Sequence, residues 1–380
     1  MKFLLIYVPN LRFSYKGDWS KRKLNEICLF FKGNGLSKSD LSNEGFPCIL
    51  YGELYTTYKN EVISDIISKT NTTLSNPFLS RNNDLIIPGS GEDPIDIAVA
   101  RAIYQNDIIL GGDLNILRPK SNVSAAFLSY QLNGVRRYDI AKKAQGKSIV
   151  HLHNSDLKEV LVSIPSYDEQ LHIVKLLTKI DEMIETQSKI IDDYNSLKMG
   201  IYNCMFKENY ADYKLKQLAY IVKGDQINND QLLSNGSYYM MNGGTSPSGY
   251  LDSYNVSENT ISISEGGNSC GYVQFNSSPF WSGGHCYTIQ NVNSALIENK
   301  YLYHYLKYKE KEMMNLRIGT GLPNIQKKDL ENFTILVPSL LIQRKNLALF
   351  EMLDEKISIL TEELTNLQKQ KKYLLCNMFI

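Results

Sequence analysis

The chain has 380 residues, 43% of them hydrophobic, and carries 41 Lys and Arg against 40 Asp and Glu. That length favours two domains, and the apolar content is enough for two cores. A net charge of +1 excludes a chain that coats polyanions over its whole surface, while leaving room for local basic faces.

The chain opens on Met1-Lys2-Phe3-Leu4-Leu5-Ile6-Tyr7-Val8, apolar like the centre of a signal peptide. The run is short, and Pro9-Asn10-Leu11-Arg12 follows without a small-residue cleavage site. No stretch of the sequence is long and apolar enough to span a membrane. The six cysteines form no CxxC pair and read as reduced thiols, which implies a cytoplasmic protein. Short β-like runs broken by Gly, Asn, Ser and Asp follow, Asp84-Leu85-Ile86-Ile87-Pro88 among them. A short helix is predicted at Ala125 to Leu132, after the strand that follows Gly111-Gly112. His151 and His153 share one face of a strand-like run. No Cys or carboxylate stands with them to complete a metal site, and the five histidines of the chain are scattered. Pro165 then opens a long helical stretch that ends in Cys204-Met205-Phe206.

The second half repeats the first. Pro165 and Pro338, Gln170 and Gln343, Asp181 and Asp354, and Met205 and Met378 are all separated by 173. Trp19 through Ile27 is echoed by Tyr213 through Ile221 at an offset of 194, and Gly111-Gly112 by Gly283-Gly284 at 172. The first copy therefore carries extra residues between about 33 and 110. In the second copy Thr260-Ile261-Ser262-Ile263-Ser264 alternates as a strand does, and a short helix is predicted at Lys300 to Lys307.

The second long helix carries a heptad seam of Phe350, Leu353, Ile357, Leu360, Leu364 and Leu367. The first carries Leu177, Ile180, Ile184, Gln187, Ile191 and Tyr194, with Gln187 the one polar member. About 38 residues at 1.5 Å each make a helix of roughly 57 Å, longer than a small domain is wide. Such a stripe needs a helical partner. An antiparallel coiled coil between the two copies is preferred over long core helices in a bundle, and it would place the globular parts at opposite ends of a rod. The fold class is α+β: two globular parts separated by two long antiparallel coiled-coil helices, in a pseudo-twofold internal repeat. The expected segments are 1–18, 19–164, a spacer helix 165–208, 209–337 and a second spacer helix 338–380.

Catalytic motifs are missing. The sequence has no GxxxxGK[ST], HExxH or GxSxG. Asn76-Pro77-Phe78 is faintly similar to the Asn-Pro-Pro-Tyr loop of amino-methyltransferases, without the glycine-rich cofactor loop. Asp93-Pro94-Ile95-Asp96 lacks the Glu-x-Lys of a nuclease. Binding chemistry remains. Tyr51, Tyr55 and Thr56 lie in one loop, whose counterpart holds Asn242, Thr245 and Ser246. Ser90 lies in a second loop, whose counterpart holds Asn268. A third region gathers Arg136, Arg137, Lys142, Lys143 and Lys147 in copy one, and Arg317, Thr320, Asn324, Lys327 and Lys328 in copy two. Arg101 joins the candidates. Glycine lets a backbone approach closely, amides and hydroxyls reach base edges, and cations reach phosphates. The alternative for each is an ordinary turn or a solvated lysine.

In this order and duplication the motifs resemble the specificity subunit of type I restriction–modification systems. The carrying residues are Trp19 through Ile27, Gly111-Gly112-Asp113-Leu114, Asp156-Leu157, Ile164-Pro165, Gln170 and Met205-Phe206, with Gly283-Gly284, Asp329-Leu330, Val337-Pro338, Gln343 and Met378-Phe379 as partners. The openings Val8-Pro9-Asn10-Leu11-Arg12-Phe13 and Gly17-Asp18-Trp19 also look like that family. The resemblance implies that 19–164 and 209–337 are target-recognition domains reading the two parts of an asymmetric target in double-stranded DNA. It further implies two methyltransferase subunits using S-adenosylmethionine, restriction/translocase subunits using ATP and Mg, and no cofactor in this chain. Two departures stand out: the apolar start Met1 to Tyr7, and Gln187 in the first seam. Rival readings are a stand-alone adenine-specific methyltransferase or nuclease, and a coiled-coil adapter without a nucleic-acid role.

Overall fold

The computed structural model describes residues 9–206, 210–319, 321 and 323–380. The apolar start at Met1 to Tyr7 and the candidate Thr320 lie outside the described residues. The chain divides into two compact units, Met1–Ser188 with Glu362–Ile380, and Lys189–Thr361. Each long helix therefore begins in one unit and ends in the other. The expected segments treated the helices as separate pieces; by packing, each helix is shared.

In the first unit a five-stranded sheet runs in the order Cys28–Lys32, Leu114–Pro119, Asp84–Pro88, Arg101–Ile103, Val62–Ile63. All pairs are antiparallel except the last. The helix Ala125–Asn133 packs on it, with Phe127, Leu128 and Tyr130 fully buried. Ser124 caps that helix by accepting from the Phe127 N–H. In the second unit the order is Tyr220–Lys223, Cys286–Gln290, Thr260–Ser264, Val273–Asn276, all antiparallel, beside the helix Asn299–Tyr308. The expected short helices and the two named strands are thus present, and the four-strand order is the same in both units.

The first unit adds the edge strand Val62–Ile63. The parallel pairing of Cys48 with Ile109 matches that of Met240 with Trp281, an offset of 192 on one side and 172 on the other. Much of the extra material therefore follows Ile49. It forms the helical turn Glu53–Thr56 as well as the edge strand, so Tyr55 and Thr56 stand on a helical turn rather than in a loop. All five residues of Thr260–Ser264 are buried despite their alternation, so both faces of the strand are covered. The hydroxyls are accommodated by partners: Asn276 donates to the Thr260 carbonyl and to Ser262 Oγ, and Ser264 Oγ donates to the Gly243 carbonyl.

The long helices are Tyr167–Met205 and Leu340–Asn377. Pro165 and Pro338 precede them, where a missing N–H costs no ladder bond. Gln170 and Gln343 explain the repeated Pro-to-Gln spacing. Gln170 Nε2 donates to the Pro165 and Asn122 carbonyls, and its Oε1 accepts from the Ser124 N–H. Gln343 Nε2 donates to the Pro338 and Leu296 carbonyls, and its Oε1 accepts from the Glu298 N–H. Each buried amide thus ties the start of a long helix to the start of a short one.

Within each unit the long helices run antiparallel and pair with one another. In the first, Lys371 bonds Asp181 and Gln187 donates to Glu363, so the polar seam member has a partner. In the second, Lys198 pairs with Asp354, and the rings of Tyr202 and Phe350 meet edge-on at 4.8 Å. Leu177 and Ile180 are buried in the first unit, and Phe350, Leu353 and Leu360 in the second. The helix ends repeat as well. Phe379 packs on Phe127 at 5.3 Å and Trp19 at 6.4 Å, and Phe206 packs on Tyr305 at 5.1 Å and Tyr301 at 5.6 Å. Burying one such phenylalanine stabilises by roughly 1.5–3 kcal/mol.

Candidate nucleic-acid interface

In the second unit the buried strand Thr260–Ser264 delivers Glu265 and two glycines to the sheet end, where three loops meet. The Glu265 N–H donates to the His285 carbonyl, and the Ile325 N–H donates to the Glu265 carbonyl. The Gly267 N–H donates to the Pro323 carbonyl, and Gly266 bridges to Asn324. Asn242 Oδ1 accepts from the His285 N–H. Gly243 adopts φ +78°, and a Cβ there would come within 3.2 Å of His285 Cβ. Glycine is therefore favoured at Gly243 by conformation, and a Cβ there would also press on His285.

Glu265 is the hub of this surface. Its Oε1 accepts from Lys223 Nζ at 2.6 Å and from the Tyr287 hydroxyl at 3.0 Å, and its Oε2 lies 3.5 Å from His285 Nδ1. Burial, then Glu265, push the Tyr287 hydroxyl pKa up. Lys223 and His285 remain half or more exposed. Thr245, Ser246, Asn268, Arg317, Asn324 and Lys327 are exposed, and Asn242 is half-buried. The hydrogen bonds place the loops carrying Asn242, Asn268 and Asn324 side by side. Lys327 lies 3.8 Å from Glu331. Surface ion pairs of this kind are weak, so the lysine remains available to an outside phosphate.

The first unit builds the same corner with different side chains. Ser90 and Gly91 pair with His151 and Val150, as Gly266 bridges Asn324 in the second. Gln145 bridges His151 as Ile318 bridges Asn324, both pairs displaced by 173. The His151 and His153 rings stack at 6.1 Å, and both are exposed. Tyr51, Tyr55 and Lys143 are half-buried, while Thr56 and Lys147 are exposed.

Several expected contacts are committed elsewhere. Ser90 is 4% exposed and donates to Asp113 at 3.2 Å. Arg101 is 6% exposed and donates to the Leu54 and Ala100 carbonyls. Arg136 donates to the Ile380 carbonyl and to Asp139. Arg137 donates twice to the Ile95 carbonyl. Ser90 and Arg101 therefore lie beneath the surface, and the two following arginines fasten the fold. Sequence reading missed Lys223 and His285, and it placed Glu265 in the Asn268 loop as a contact rather than as the organising residue. Among the described residues no group of His, Cys, Asp and Glu could hold a metal ion, and no helix is long and apolar enough to cross a membrane.

The family model of the type I restriction modification DNA specificity domain matches residues 16–193 and again 207–369. The chain belongs to that family. Its two specificity-domain copies coincide with the internal repeat, and each match runs from a globular part into a long helix. A type I specificity subunit of Mycoplasma pneumoniae is 33% identical over 155 residues, 40% of this chain and 41% of that protein. The MjaX specificity subunit of Methanocaldococcus jannaschii is 22% identical over 404 aligned positions, 94% of this chain and 92% of its own length. The crystal structure of the S subunit of a type I restriction–modification system from M. genitalium shares the fold. Its TM-score is 0.71 at 20% identity, over 98% of this chain and 99% of that one. A chain from a structural study of type I complex assembly aligns at TM-score 0.55 and 16% identity, over 94% and 96%.

Proposed function

We propose that this specificity-family chain is the DNA sequence-recognition subunit of a type I restriction–modification complex, and that it reads a bipartite, asymmetric target. The observation that carries the reading is the pair of strand-end corners. The same backbone bridges recur in both units, displaced by 173 on one side and 176 on the other, yet exposed His151 stands over Ser90 in one and exposed Asn324 over Gly266 in the other. Equal frameworks with unequal side chains suit two half-sites of unequal sequence.

Exposed amides and hydroxyls at Thr56, Thr245, Ser246, Asn268 and Asn324 contact base edges, and Lys143, Lys147, Arg317 and Lys327 contact phosphates. The target-recognition domains span 19–164 and 209–337. The shared long helices set the unread gap, with half-sites about one helical turn, roughly 34 Å, apart. Each mismatch costs roughly 1–3 kcal/mol, so two modest readers joined in one chain give a strict target. The chain supplies no catalytic group. Two methyltransferase subunits bring S-adenosylmethionine, and restriction/translocase subunits bring ATP and Mg. The assembly works in the cytoplasm on double-stranded DNA.

The test is gel retention of duplex DNA by the chain combined with its methyltransferase partner. Retention of one bipartite sequence over its scrambled halves is expected. Equal retention of all sequences, or none, contradicts the proposal.

A further inference from the structure

A cavity of about 300 Å³ opens in the first unit beside the inserted stretch and the last turns of the second long helix. Lys59, Glu61, Arg101, Arg137, Lys371 and Lys372 contribute its charged lining. Lys371 is already held by Glu61 and Asp181, each at 2.6 Å. These three groups together leave one negative charge, against which Lys59, Arg101, Arg137 and Lys372 set four positive ones. Among the described residues, Lys59 and Lys372 have no ion pair. The two guanidinium groups use only neutral main-chain oxygens as acceptors. Among the described residues, neither Arg101 Nη2 nor Arg137 Nη1 has an acceptor in these bonds.

Gathering cations without matching carboxylates is costly, most of all for Arg101 at 6% exposure. Burial weakens the hold of Arg101 on its proton most; Arg137 adds to that, and Glu61 and Asp181 oppose it without reversing it. The shared framework does not need these arginines. Arg101 pairs with Ile86 where the second unit pairs Gln274 with Ser262. Arg137 opens the helix Arg137–Ala141, and its counterpart Glu310 opens Glu310–Met314. Glu310 is a carboxylate, occupied by Lys307 and the Val273 N–H. The second unit thus supplies its own anion at the position where the first has a cation.

The geometry points to a phosphate-binding pocket in the first unit. Arg101 and Arg137 hold the oxygens of a free phosphate or of the phosphate on a small nucleotide, with Lys59 and Lys372 at the mouth. Planar guanidinium forks match tetrahedral oxyanions. The depth of Arg101 favours a small ligand over the backbone of a stiff duplex.

Calorimetric titration of the full chain with inorganic phosphate and with adenosine monophosphate, at constant ionic strength, tests this. One saturable site per chain is expected for at least one of the two probes, and the comparison tells a bare phosphate from a nucleotide-borne one. The double variant Lys59→Gln, Lys372→Gln weakens it at least tenfold while leaving target-duplex retention unchanged. Arg101→Gln abolishes it, and the surface double variant decides the matter if Arg101→Gln does not fold. No saturable binding of either probe, or equal affinity in the double variant, overturns the pocket. Loss of duplex retention in the double variant without phosphate binding assigns these cations to DNA and also overturns it.

Discussion

The two units hold their long helices together with the same ion pair in different company. Lys371 and Asp181 of the first correspond to Lys198 and Asp354 of the second, both displaced by 173. In the first unit the pair is buried, and the inserted stretch adds Glu61 as a second acceptor while the Tyr130 hydroxyl donates to Asp181 at 2.7 Å. In the second unit Asp354 is 39% exposed, and the neighbour is His304, bonded to the Tyr202 hydroxyl at 2.8 Å. The repeat position of His304 in the first unit is Gln131, which exchanges two bonds with the Ser163 backbone. One framework thus carries a dry, insert-dependent clasp in one copy and a wetter, histidine-bearing clasp in the other. Duplication preserved the geometry, and the surroundings set what each pair contributes.

That contrast can be broken at the ion pairs. Lys371→Ala leaves Asp181 and Glu61 buried without their cation and destabilises by about 3–5 kcal/mol. Lys198→Ala, beside a part-exposed carboxylate, costs about 1 kcal/mol. Denaturant midpoints of the two variants measure the difference, and equal losses would erase the distinction between the units. The amide anchors should instead behave alike. Gln170→Ala and Gln343→Ala each leave buried backbone groups unpaired, at a cost of roughly 3 kcal/mol. Unequal losses would show that the anchors are not equivalent.

His304 sharpens the comparison through pH. Burial first, then Lys198 and Lys300, hold its pKa down at about 3, against an ordinary 6.5. The unfolded chain therefore takes up a proton near pH 6.5 that the folded unit refuses until about pH 3. Stability from this group is full above 6.5 and falls as pH drops toward 3, by roughly 1.4 kcal/mol per pH unit within that window. His304→Gln, the residue type of the first unit, should remove this slope; an unchanged slope means His304 does not carry it. The smallest effect belongs to the surface: Lys327→Gln should reduce the salt dependence of DNA retention by about one phosphate contact.

Much of the framework was legible in the sequence because it is periodic. The heptad seam, the Pro-to-Gln spacing and the Gly-Gly pairs recur at fixed offsets: the seam packs, the glutamines anchor helix starts, and a Cβ at Gly111 or Gly283 would meet Leu50 or Met240 at 2.7 or 2.6 Å. The candidate site was legible in part. Asn268, Arg317 and Asn324 stand exposed on one corner because a strand end and two loops converge there. Ser90 and Arg101 sank out of reach of a duplex because burial is set by residues distant in sequence: Asp113 for the serine, and Leu54 on the inserted turn for the arginine. Arg136 and Arg137 resembled a DNA-facing patch in the sequence, yet they bond carbonyl groups at Ile380 and Ile95, and Arg137 turns its remaining nitrogen to the inner cavity. The role of Glu265 depends on Lys223, His285 and Tyr287 arriving from three other places.

The central claim is that each unit reads its own half of the target. Exchanging residues 19–150 for the equivalent region of another specificity chain, followed by sequencing of methylated genomic DNA, tests it most directly. The account predicts that one half of the methylated sequence changes while the other half and the gap stay as they were. A change in both halves, or in neither, would contradict it.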